Sequence, residues 1–424
     1  MNGRLFAFTA SLALPAALLF ACATDNGETV YGEQFGPTPT RPDGSADGPI
    51  VVGDDSGAKP DADAAPGDGE AGPPSCAAGT IAILAGRGTP TPSLSGAVQE
   101  KGGAWKGSAI VGGAAEDVPA LVAFGSGFLG VVHGAGDALQ TTSYGTSWSA
   151  PTSIGIAEMK HAPSLAVVGT KAHVVYAAGA AGATNFFHGV NSGTSWDAAN
   201  DPVGSPQAFG NAPAGLSAAG SDLAFAQAGS NNGLYVQTWN GAWTMYQGND
   251  GIDGVDGAGA AELAGAALES VTGKFDVVLV YADKSGPNKV RWVARDATTK
   301  LFTAPADVNA SATTYAATVK PMSLTRVSAS SLLLTFEGTD GKGYYVAGTL
   351  GAAAITWSTP APLAAGGVSV DSTPRAAKGV CGDDAVIAFA SGGQVKVVRL
   401  RGSTLTAPEL VVGASGSRVA IATR

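Results

Sequence analysis

A pattern of short apolar strands returns about every fifty residues along most of this 424-residue chain. A repeat of that length constrains the fold more than any single motif. In the later copies one strand ends in an aromatic residue or a histidine; these strands end at His133, Tyr176, Phe225, Tyr281, Phe336 and Phe389. An earlier copy, IAIL, ends at Leu84. Seven copies without helical periodicity predict an all-β fold, a β-propeller of about seven four-stranded blades.

The two ends of the repeat region predict how the ring closes. The first copy begins near Thr80 with the equivalent of a second strand, so its innermost strand is missing. One extra strand, SRVAIATR, remains at residues 417–424 and is similar to the innermost strands PALVAFG and PSLAVVG. Placing it inside the first blade closes the ring and leaves no exposed edge there. A ring of six blades and a two-domain β-sandwich are the alternatives, but the sandwich does not need the spare strand.

Composition agrees with strands and tight turns. Glycine supplies 61 of the 424 residues and only 14% of residues are charged, against roughly 25% in an average globular protein. The chain is too poor in Glu, Lys and Leu for a helical bundle. The formal net charge of -10 argues against nucleic acid as a partner.

The N-terminal segment has the layout of a secretory signal. Arg4 precedes an apolar run that ends in Leu19-Phe20-Ala21-Cys22, a run too short for a membrane span. These four residues resemble the lipobox of bacterial lipoproteins. The resemblance implies a signal peptide at residues 1–21 and a lipidated Cys22 as the first mature residue. Ala23 after the cysteine resembles the sorting signal of an outer-membrane lipoprotein. An ordinary signal with a coincidental cysteine is the alternative.

Residues 22–75 have the composition of a disordered tether. Between residues 23 and 75, eleven acidic residues stand against two basic ones, a net charge of -9. Pro, Gly, Asp and Ala dominate, so little here could bury a core. We therefore expect an extended spacer between the lipid and a folded β-propeller domain at residues 76–424.

The two remaining cysteines, Cys76 and Cys381, predict a disulfide. Each precedes a second strand, one in the first blade and one in the last. In a closed ring these blades are neighbours, and an oxidising compartment permits the bond. Two separate buried thiols are the alternative.

Two turns share a motif that ends in tryptophan. They read SYGTSW, from Ser143 to Trp148, and NSGTSW, from Asn191 to Trp196. Both turns resemble degenerate Asp-boxes of the sialidase-like propellers, and in that family such turns are structural. The resemblance implies turn-capping side chains, glycines with unusual dihedrals and tryptophans packed between blades; the residues are Ser143, Gly145, Trp148, Asn191, Gly193 and Trp196. Stacking of sugars on Trp148 and Trp196, as in propeller lectins, is the alternative.

No catalytic set can be assigned. The four histidines lack metal-ligand spacing, and no Arg-Ile-Pro signature accompanies Arg291 and Arg295, which share one strand face. The sequence predicts no cofactor, except that Asp250, Asp253 and Asp256 recur in a Gly-rich loop that could bind Ca²⁺. A solvated acidic turn is the alternative.

Together these features predict a monomeric, outer-membrane-anchored and non-catalytic β-propeller on the periplasmic side or the cell surface. Its expected partner is a glycan or an envelope protein. A sialidase-like glycoside hydrolase acting on surface glycans is the alternative, and it needs two carboxylates that converge across a pocket.

Overall fold

The computed structural model describes residues 79–88, 90–154, 158–179, 185–197, 201–202, 215–219, 222–228, 234–245, 267–283, 289–308 and 322–424. The chain divides into two compact units, Met1–Gly67 and Asp68–Arg424. The first unit lies outside the described residues. The second unit contains all the strands discussed below.

Within the described residues, thirty strands form seven antiparallel sheets, which we number as blades in chain order. Blade 1 contains β1 (Thr80–Arg87), β2 (Ser93–Glu100), β3 (Lys106–Ala109) and β30 (Arg418–Thr423). Blade 2 contains β4 (Ala120–Phe124), β5 (Gly127–Gly134), β6 (Ala138–Tyr144) and β7 (Thr152–Ser153). Blade 3 contains β8 (Ser164–Val168), β9 (Lys171–Ala178), β10 (Asn185–Asn191) and β11 (Asp201–Pro202). Blade 4 contains β12 (Gly215–Ala219), β13 (Asp222–Ala228), β14 (Leu234–Trp239) and β15 (Trp243–Met245).

The remaining strands form blades 5 to 7. Blade 5 contains β16 (Ala267–Ser270), β17 (Phe275–Asp283), β18 (Lys289–Asp296) and β19 (Ala306–Asp307). Blade 6 contains β20 (Ser323–Ser328), β21 (Ser331–Glu337), β22 (Gly343–Leu350), β23 (Ile355–Trp357) and β24 (Ala361–Pro362). Blade 7 contains β25 (Arg375–Lys378), β26 (Ala385–Ser391), β27 (Gln394–Arg401), β28 (Thr404–Leu405) and β29 (Glu409–Ser415). Blades 6 and 7 thus carry a fifth strand, β24 and β29 respectively, that the repeat pattern did not predict.

The second strand of each blade is apolar because neighbouring blades cover both of its faces. Strand β5 is buried along its whole length. In β1, Ile81 and Ile83 pack toward blade 7, whereas Ala82 and Leu84 pack toward blade 2. Successive side chains of a strand point to opposite faces. An apolar run without alternation is therefore the expected sequence of these strands.

Seven apolar clusters within the described residues each join two adjacent blades. The innermost strands β4, β8, β12, β16, β20, β25 and β30 contact one another in that order, and β30 contacts β4. The predicted propeller, with seven blades rather than six, is therefore confirmed.

The C-terminal strand closes the ring as predicted. β30 pairs antiparallel with β1, from Ile81 opposite Thr423 to Gly86 opposite Arg418. The backbone groups of Thr80 and Arg424 also exchange two hydrogen bonds of 2.9 Å. The inner edge of β1 is therefore covered by a strand that comes from the far end of the repeat region.

Several sequence predictions lie outside the described residues. They are the signal peptide and Cys22, the tether, Cys76 and the acidic loop with Asp250, Asp253 and Asp256. Cys381 lies in the turn between β25 and β26 with φ 61°. Because Cys76 lies outside the described residues, the pairing of the two cysteines stays a prediction. The described part of the chain contains no helix of the length and apolarity that crossing a membrane requires.

Candidate functional site

The turn from Ser143 to Trp148 follows β6 in blade 2. It is closed by a backbone hydrogen bond in which Ser149 N–H donates to the Ser143 carbonyl at 2.8 Å. Ser143 N–H in turn donates to Ser149 Oγ at 2.9 Å. Tyr144 pairs with Trp148 in an isolated bridge, and their ring centroids lie 5.4 Å apart. Backbone and side-chain bonds together therefore fix where this turn presents its rings.

The turn from Asn191 to Trp196 occupies the same position in blade 3, after β10. Gly193 N–H donates to Asn191 Oδ1 at 2.7 Å, a bond that mimics a backbone turn. Gly193 has φ 109°, a conformation that glycine adopts without steric cost. Asn191 pairs with Trp196, and Val190 N–H donates to Asp197 Oδ1 at 2.9 Å. Asn191 and Gly193 thus behave as the motif predicts.

The first turn departs from the prediction in two respects. The φ of Gly145 lies outside the left-handed region, so the expected unusual dihedral is wrong there. Ser149, rather than Ser143, supplies the side-chain oxygen that bonds the turn backbone. The second serine takes this part because the hairpin register brings it opposite Ser143 N–H.

The two turns meet at one large groove between blades 2 and 3, which we call the blade 2–3 groove. It has a volume of about 1280 Å³ and lies at the end of the propeller where the inner strands finish. Ser143 and Gly145 line one wall, and Asn191, Gly193 and Trp196 line the other. The sequence singled out both turns but did not predict that they share a cavity.

The chemistry of the blade 2–3 groove is dominated by hydroxyl groups and aromatic rings. The charged side chains in its described lining are Asp197 and Arg424. Arg424 donates through Nη1 to the Ser126 carbonyl. The hydroxyl and aromatic lining consists mainly of Thr141, Ser143, Ser149, Thr152, Ser153, Thr170, Ser192, Thr194, Ser195, Phe124, Phe128, Tyr144 and Trp196.

The two tryptophans of the turns have different positions. Trp148 belongs to blade 2 but packs with the apolar cluster of blade 1, where its ring covers Gly96 so closely that a Cβ there would collide with it. Trp196 packs with the cluster between blades 2 and 3 and also lines the groove. Of the two residues, only Trp196 is thus positioned to contact a molecule in the groove.

A second cavity, of about 500 Å³, lies in the central channel at the end where the inner strands begin. Its charged or titratable lining residues in the described chain are Asp117, His161, Glu269 and Arg375. Asp117 accepts a hydrogen bond of 2.8 Å from His133 Nδ1, and His133 Nε2 lies 3.2 Å from Asp137. Burial alone would lower the pKa of His133, but the bonds and charges of the two carboxylates outweigh burial and raise it.

Glu269 joins three adjacent inner strands. Its Oε1 accepts hydrogen bonds from Ser217 Oγ at 2.7 Å and from Ser270 N–H at 3.0 Å, and its Oε2 accepts one from Arg326 N–H at 3.3 Å. Burial raises the pKa of this carboxyl group despite these bonds. Glu269 therefore connects blades 4, 5 and 6, and its oxygens are occupied by the protein itself.

Arg291 and Arg295 are both bound to carboxylates of their own blade. Arg295 donates to both oxygens of Asp276 at 2.7 Å, and Arg291 lies 3.3 Å from Asp307. Burial would raise the pKa of Asp276, but the bonds from Arg295 and Lys300 lower it. These arginines therefore stabilise blade 5.

The described residues contain no group of three or more His, Cys, Asp or Glu side chains suited to a metal ion.

No protein-family model matches this chain, and no curated protein matches it. Among solved structures the chain is similar to the BP39L lectin from Burkholderia pseudomallei, with a TM-score of 0.58, 16% identity, and coverage of 80% of this chain and 96% of the lectin. A six-bladed fungal lectin with a fucose recognition mode, from Aleuria aurantia, gives a TM-score of 0.45 at 14% identity, covering 64% of this chain and 88% of that one. AofleA from Arthrobotrys oligospora gives 0.43 at 10% identity, covering 72% and 89%.

The similarity to the Burkholderia lectin is one of fold. The seven sheets described above make the chain a β-propeller, and at 16% identity the likeness to that lectin concerns the fold alone. Similarity at this level assigns no site, so function has to be argued from the cavities themselves.

Proposed function

We propose that this protein is a non-catalytic glycan-binding β-propeller and that the blade 2–3 groove is its binding surface. The observation that carries the proposal is the lining of the groove, in which hydroxyls and aromatic rings greatly outnumber the two charged side chains. A hydroxyl group both donates and accepts hydrogen bonds, which matches the hydroxyls of a neutral sugar. An aromatic ring supplies a large apolar surface with a defined orientation, which matches the apolar face of a sugar ring.

Binding is favoured over hydrolysis because the carboxylates near both cavities are occupied. A glycosidase needs two carboxyl groups on either side of the scissile bond. Asp197 is the carboxylate in the described lining of the groove, and it accepts a backbone hydrogen bond from Val190. In the channel, Asp117 is bonded to His133 and Glu269 to three donors. Glycan hydrolysis is the alternative function, and the experiment below distinguishes it from binding.

The test is a glycan array probed with the intact protein, followed by incubation of each bound glycan at the same protein concentration. We expect retention of a restricted set of glycans without release of free sugar. Trp196→Phe removes the indole but keeps an aromatic ring in the apolar cluster. Because the smaller ring keeps only part of an aromatic contact that contributes about 0.5–1.5 kcal/mol beyond its area, this variant should bind more weakly, while the ring retained in the apolar cluster should limit the change in Tm. Absence of binding across the array, or steady release of sugar, would contradict the proposal.

The anchor is a separate part of the proposal, and it rests on Leu19-Phe20-Ala21-Cys22 and the acidic tether after it. We propose that lipidated Cys22 attaches a monomeric propeller to the outer membrane and that residues 22–75 hold it away from the lipid. Acyl chains anchor a protein through about 0.8 kcal/mol per buried CH₂. Cys22→Ser should abolish labelling by a palmitate analogue and leave the signal peptide uncleaved. Normal labelling of that variant would contradict the anchor without affecting the groove.

The proposal also includes a disulfide between Cys76 and Cys381. The turn that contains Cys381 belongs to blade 7, next to the blade in which β1 begins at Thr80. The bond would close a loop of about 300 residues, for which the chain-entropy model gives a stabilisation above 4 kcal/mol. Thiol titration of the unfolded, non-reduced protein should find neither thiol, and finding both would contradict the pairing.

The turns remain candidates for degenerate Asp-boxes. The bond from Gly193 N–H to Asn191 Oδ1 supports that kinship in blade 3. An envelope protein rather than a glycan is the other partner that the groove would suit, and binding of such a protein without any glycan on the array would favour it.

A further inference from the structure

Arg375 is an unusual residue for its place in the ring. It is the first residue of inner strand β25, whereas β4, β8, β12, β16 and β20 begin with the small residues Ala120, Ser164, Gly215, Ala267 and Ser323. The closing strand β30 also begins with an arginine, Arg418, but Arg418 lies outside the cavity lining. The preceding residue, Pro374, is held by blade 6 through a hydrogen bond of 2.7 Å from Thr335 Oγ1 to its carbonyl. The backbone of Arg375 is therefore fixed at the cavity, where Arg375 is the one arginine among the described lining residues.

Among the described residues, the guanidinium of Arg375 has no carboxylate partner within hydrogen-bond distance. Its Nη1 donates to the Met322 carbonyl at 3.3 Å, and its Nε is buried without a hydrogen-bond acceptor among the described residues. Other arginines of the described chain, such as Arg295 and Arg399, are paired with aspartates at 2.7 and 2.9 Å. Arg375 therefore differs from these two in forming no ion pair with a described carboxylate, although Asp117 and Glu269 line the same cavity.

Arg375 keeps its charge at neutral pH. Burial lowers the pKa of its guanidinium to about 10, which still leaves it protonated at pH 7. Burial also lowers the pKa of His161, which lines the same cavity. The nearby imidazole is therefore neutral, and Arg375 supplies the fixed positive charge of the described cavity wall. Arg375 as a whole is partly exposed, but its Nε is buried without an acceptor among the described residues. Desolvating a charged group without a partner is costly, and an anion in the cavity would relieve this cost.

We propose that the central channel binds a carboxylate and that the Arg375 guanidinium holds it. The cavity of about 500 Å³ lies within the range of small-molecule sites. The planar fork of a guanidinium fits a carboxylate through two parallel hydrogen bonds. A monoanion suits the site better than a phosphate dianion, because Asp117 and Glu269 line the same cavity. The proposal is independent of the blade 2–3 groove, which lies at the other end of the inner strands.

The test uses acetate as the probe, with chloride and inorganic phosphate at matched ionic strength, and follows the Tm of the full chain. Acetate should raise the Tm of the wild type in a saturable way. In Arg375→Met the response should need at least about tenfold more acetate, since a hydrogen bond to a charged group contributes roughly 1.5–3 kcal/mol. Without any added anion this variant should melt no lower than the wild type, because its substitution removes an unpaired charge.

Arg418→Met is the matched control. Arg418 also lies on an inner strand but donates to the Ala115 carbonyl at 3.0 Å, and it lies outside the cavity lining. The Arg418→Met variant should keep the wild-type acetate response. A variant in which a bulky side chain blocks the blade 2–3 groove, such as Thr194→Arg, should keep it as well. Arg375→Lys, which keeps the charge but loses the fork, should respond more weakly than the wild type. An unchanged acetate response in both Arg375 variants, or stronger stabilisation by phosphate than by acetate, would overturn the proposal.

Discussion

The seam between blades 7 and 1 and the groove between blades 2 and 3 show two ways in which neighbouring blades meet. At the seam, side chains cross-link segments that are about three hundred residues apart in the chain. Trp105 Nε1 donates to Glu409 at 2.6 Å, Arg399 Nη2 donates to Gln99 at 2.5 Å, and Ser95 Oγ donates to the Ser415 carbonyl at 3.0 Å. These bonds join the two ends of the repeat region.

The seam is also packed closely at the backbone. Gly107 of β3 lies so near Gly413 of β29 that a Cβ on either residue would collide with the other chain segment. Both interfaces have a buried apolar cluster, with Ile83 and Val386 at the seam and Val131 and Tyr176 between blades 2 and 3. The seam adds polar cross-links and close backbone contact to its cluster, whereas the rims of blades 2 and 3 open into the groove.

Of the changes considered, removal of the closing strand β30 should lower the stability of the ring most. Deleting residues 416–424 removes the partner of β1 together with buried Val419 and Ile421. An unpaired strand edge is a template for association. The variant should therefore aggregate or melt far below the parent, as followed by light scattering and circular dichroism. Deletion of residues 23–75 is the control and should leave the Tm nearly unchanged. Equal melting of tail deletion and parent would show that the ring does not depend on β30.

The ion cluster of blade 7, beside the seam, should be the next most sensitive element. Asp383 accepts hydrogen bonds from Arg399 at 2.9 Å and Arg401 at 2.6 Å, and its side chain is 0% exposed. Asp383→Ala should destabilise the protein by about 3 kcal/mol or more in urea unfolding, because removing one partner of a buried pair leaves charges uncompensated. Glu100→Ala, which breaks the surface pair with Lys106 at 3.4 Å, should cost less than about 1 kcal/mol. Similar losses in both variants would remove the distinction between seam and surface.

The interface between blades 3 and 4 should instead weaken in acid. His173 and His188 share a hydrogen bond of 3.0 Å and stack beside Trp239. Burial lowers the pKa of both to about 4. Between pH 6.5 and 4 the unfolded chain binds protons that the folded pair does not, so stability falls as the pH falls. We expect a loss of roughly 1–3 kcal/mol between pH 7 and pH 4.5. His188→Gln cannot titrate at this position and should flatten that slope; an unchanged slope would contradict the assignment.

His133 in blade 2 should show a smaller effect of opposite sign. Its pKa is raised by Asp117 and Asp137, so its ion pairs stabilise the fold fully below pH 6.5 and are lost as the pH rises through the raised value. We expect a loss on the order of 1 kcal/mol or less across that interval, since both aspartates are partly exposed. His133→Phe introduces the kind of aromatic residue that other blades have at the same position. This variant should abolish the loss of stability with rising pH. A slope that persists in the variant would assign it to another group.

The fold could be predicted from sequence because one physical requirement is repeated seven times. Each second strand is covered on both faces, so it must be apolar throughout, and its spacing reports the blades directly. Closure by β30 followed because a ring with one strand missing needs a spare strand elsewhere. The site could not be predicted in the same way. The turns at Ser143 and Asn191 share a groove only because equivalent positions of adjacent blades meet at one rim.

The Arg375 site was also beyond the sequence. A lone arginine after proline carries no motif, and only the packing of inner strands from different blades places its charge at a cavity. The stacking of His173 on His188 likewise depends on the β9–β10 register, which places residues fifteen apart in contact. Contacts between strands or blades therefore carry the chemistry that single-strand patterns do not record.

The most direct test of the central claim is calorimetric titration of a glycan selected on the array into two arginine variants. Thr194→Arg inserts a bulky charged side chain at an exposed position of the groove, and Thr404→Arg makes the same change at an exposed position of blade 7. Both should melt like the wild type, because exposed substitutions usually change stability by less than about 0.5 kcal/mol. Binding should be lost in Thr194→Arg and retained in Thr404→Arg. Full affinity in Thr194→Arg would show that the glycan binds elsewhere and contradict the assignment of the blade 2–3 groove.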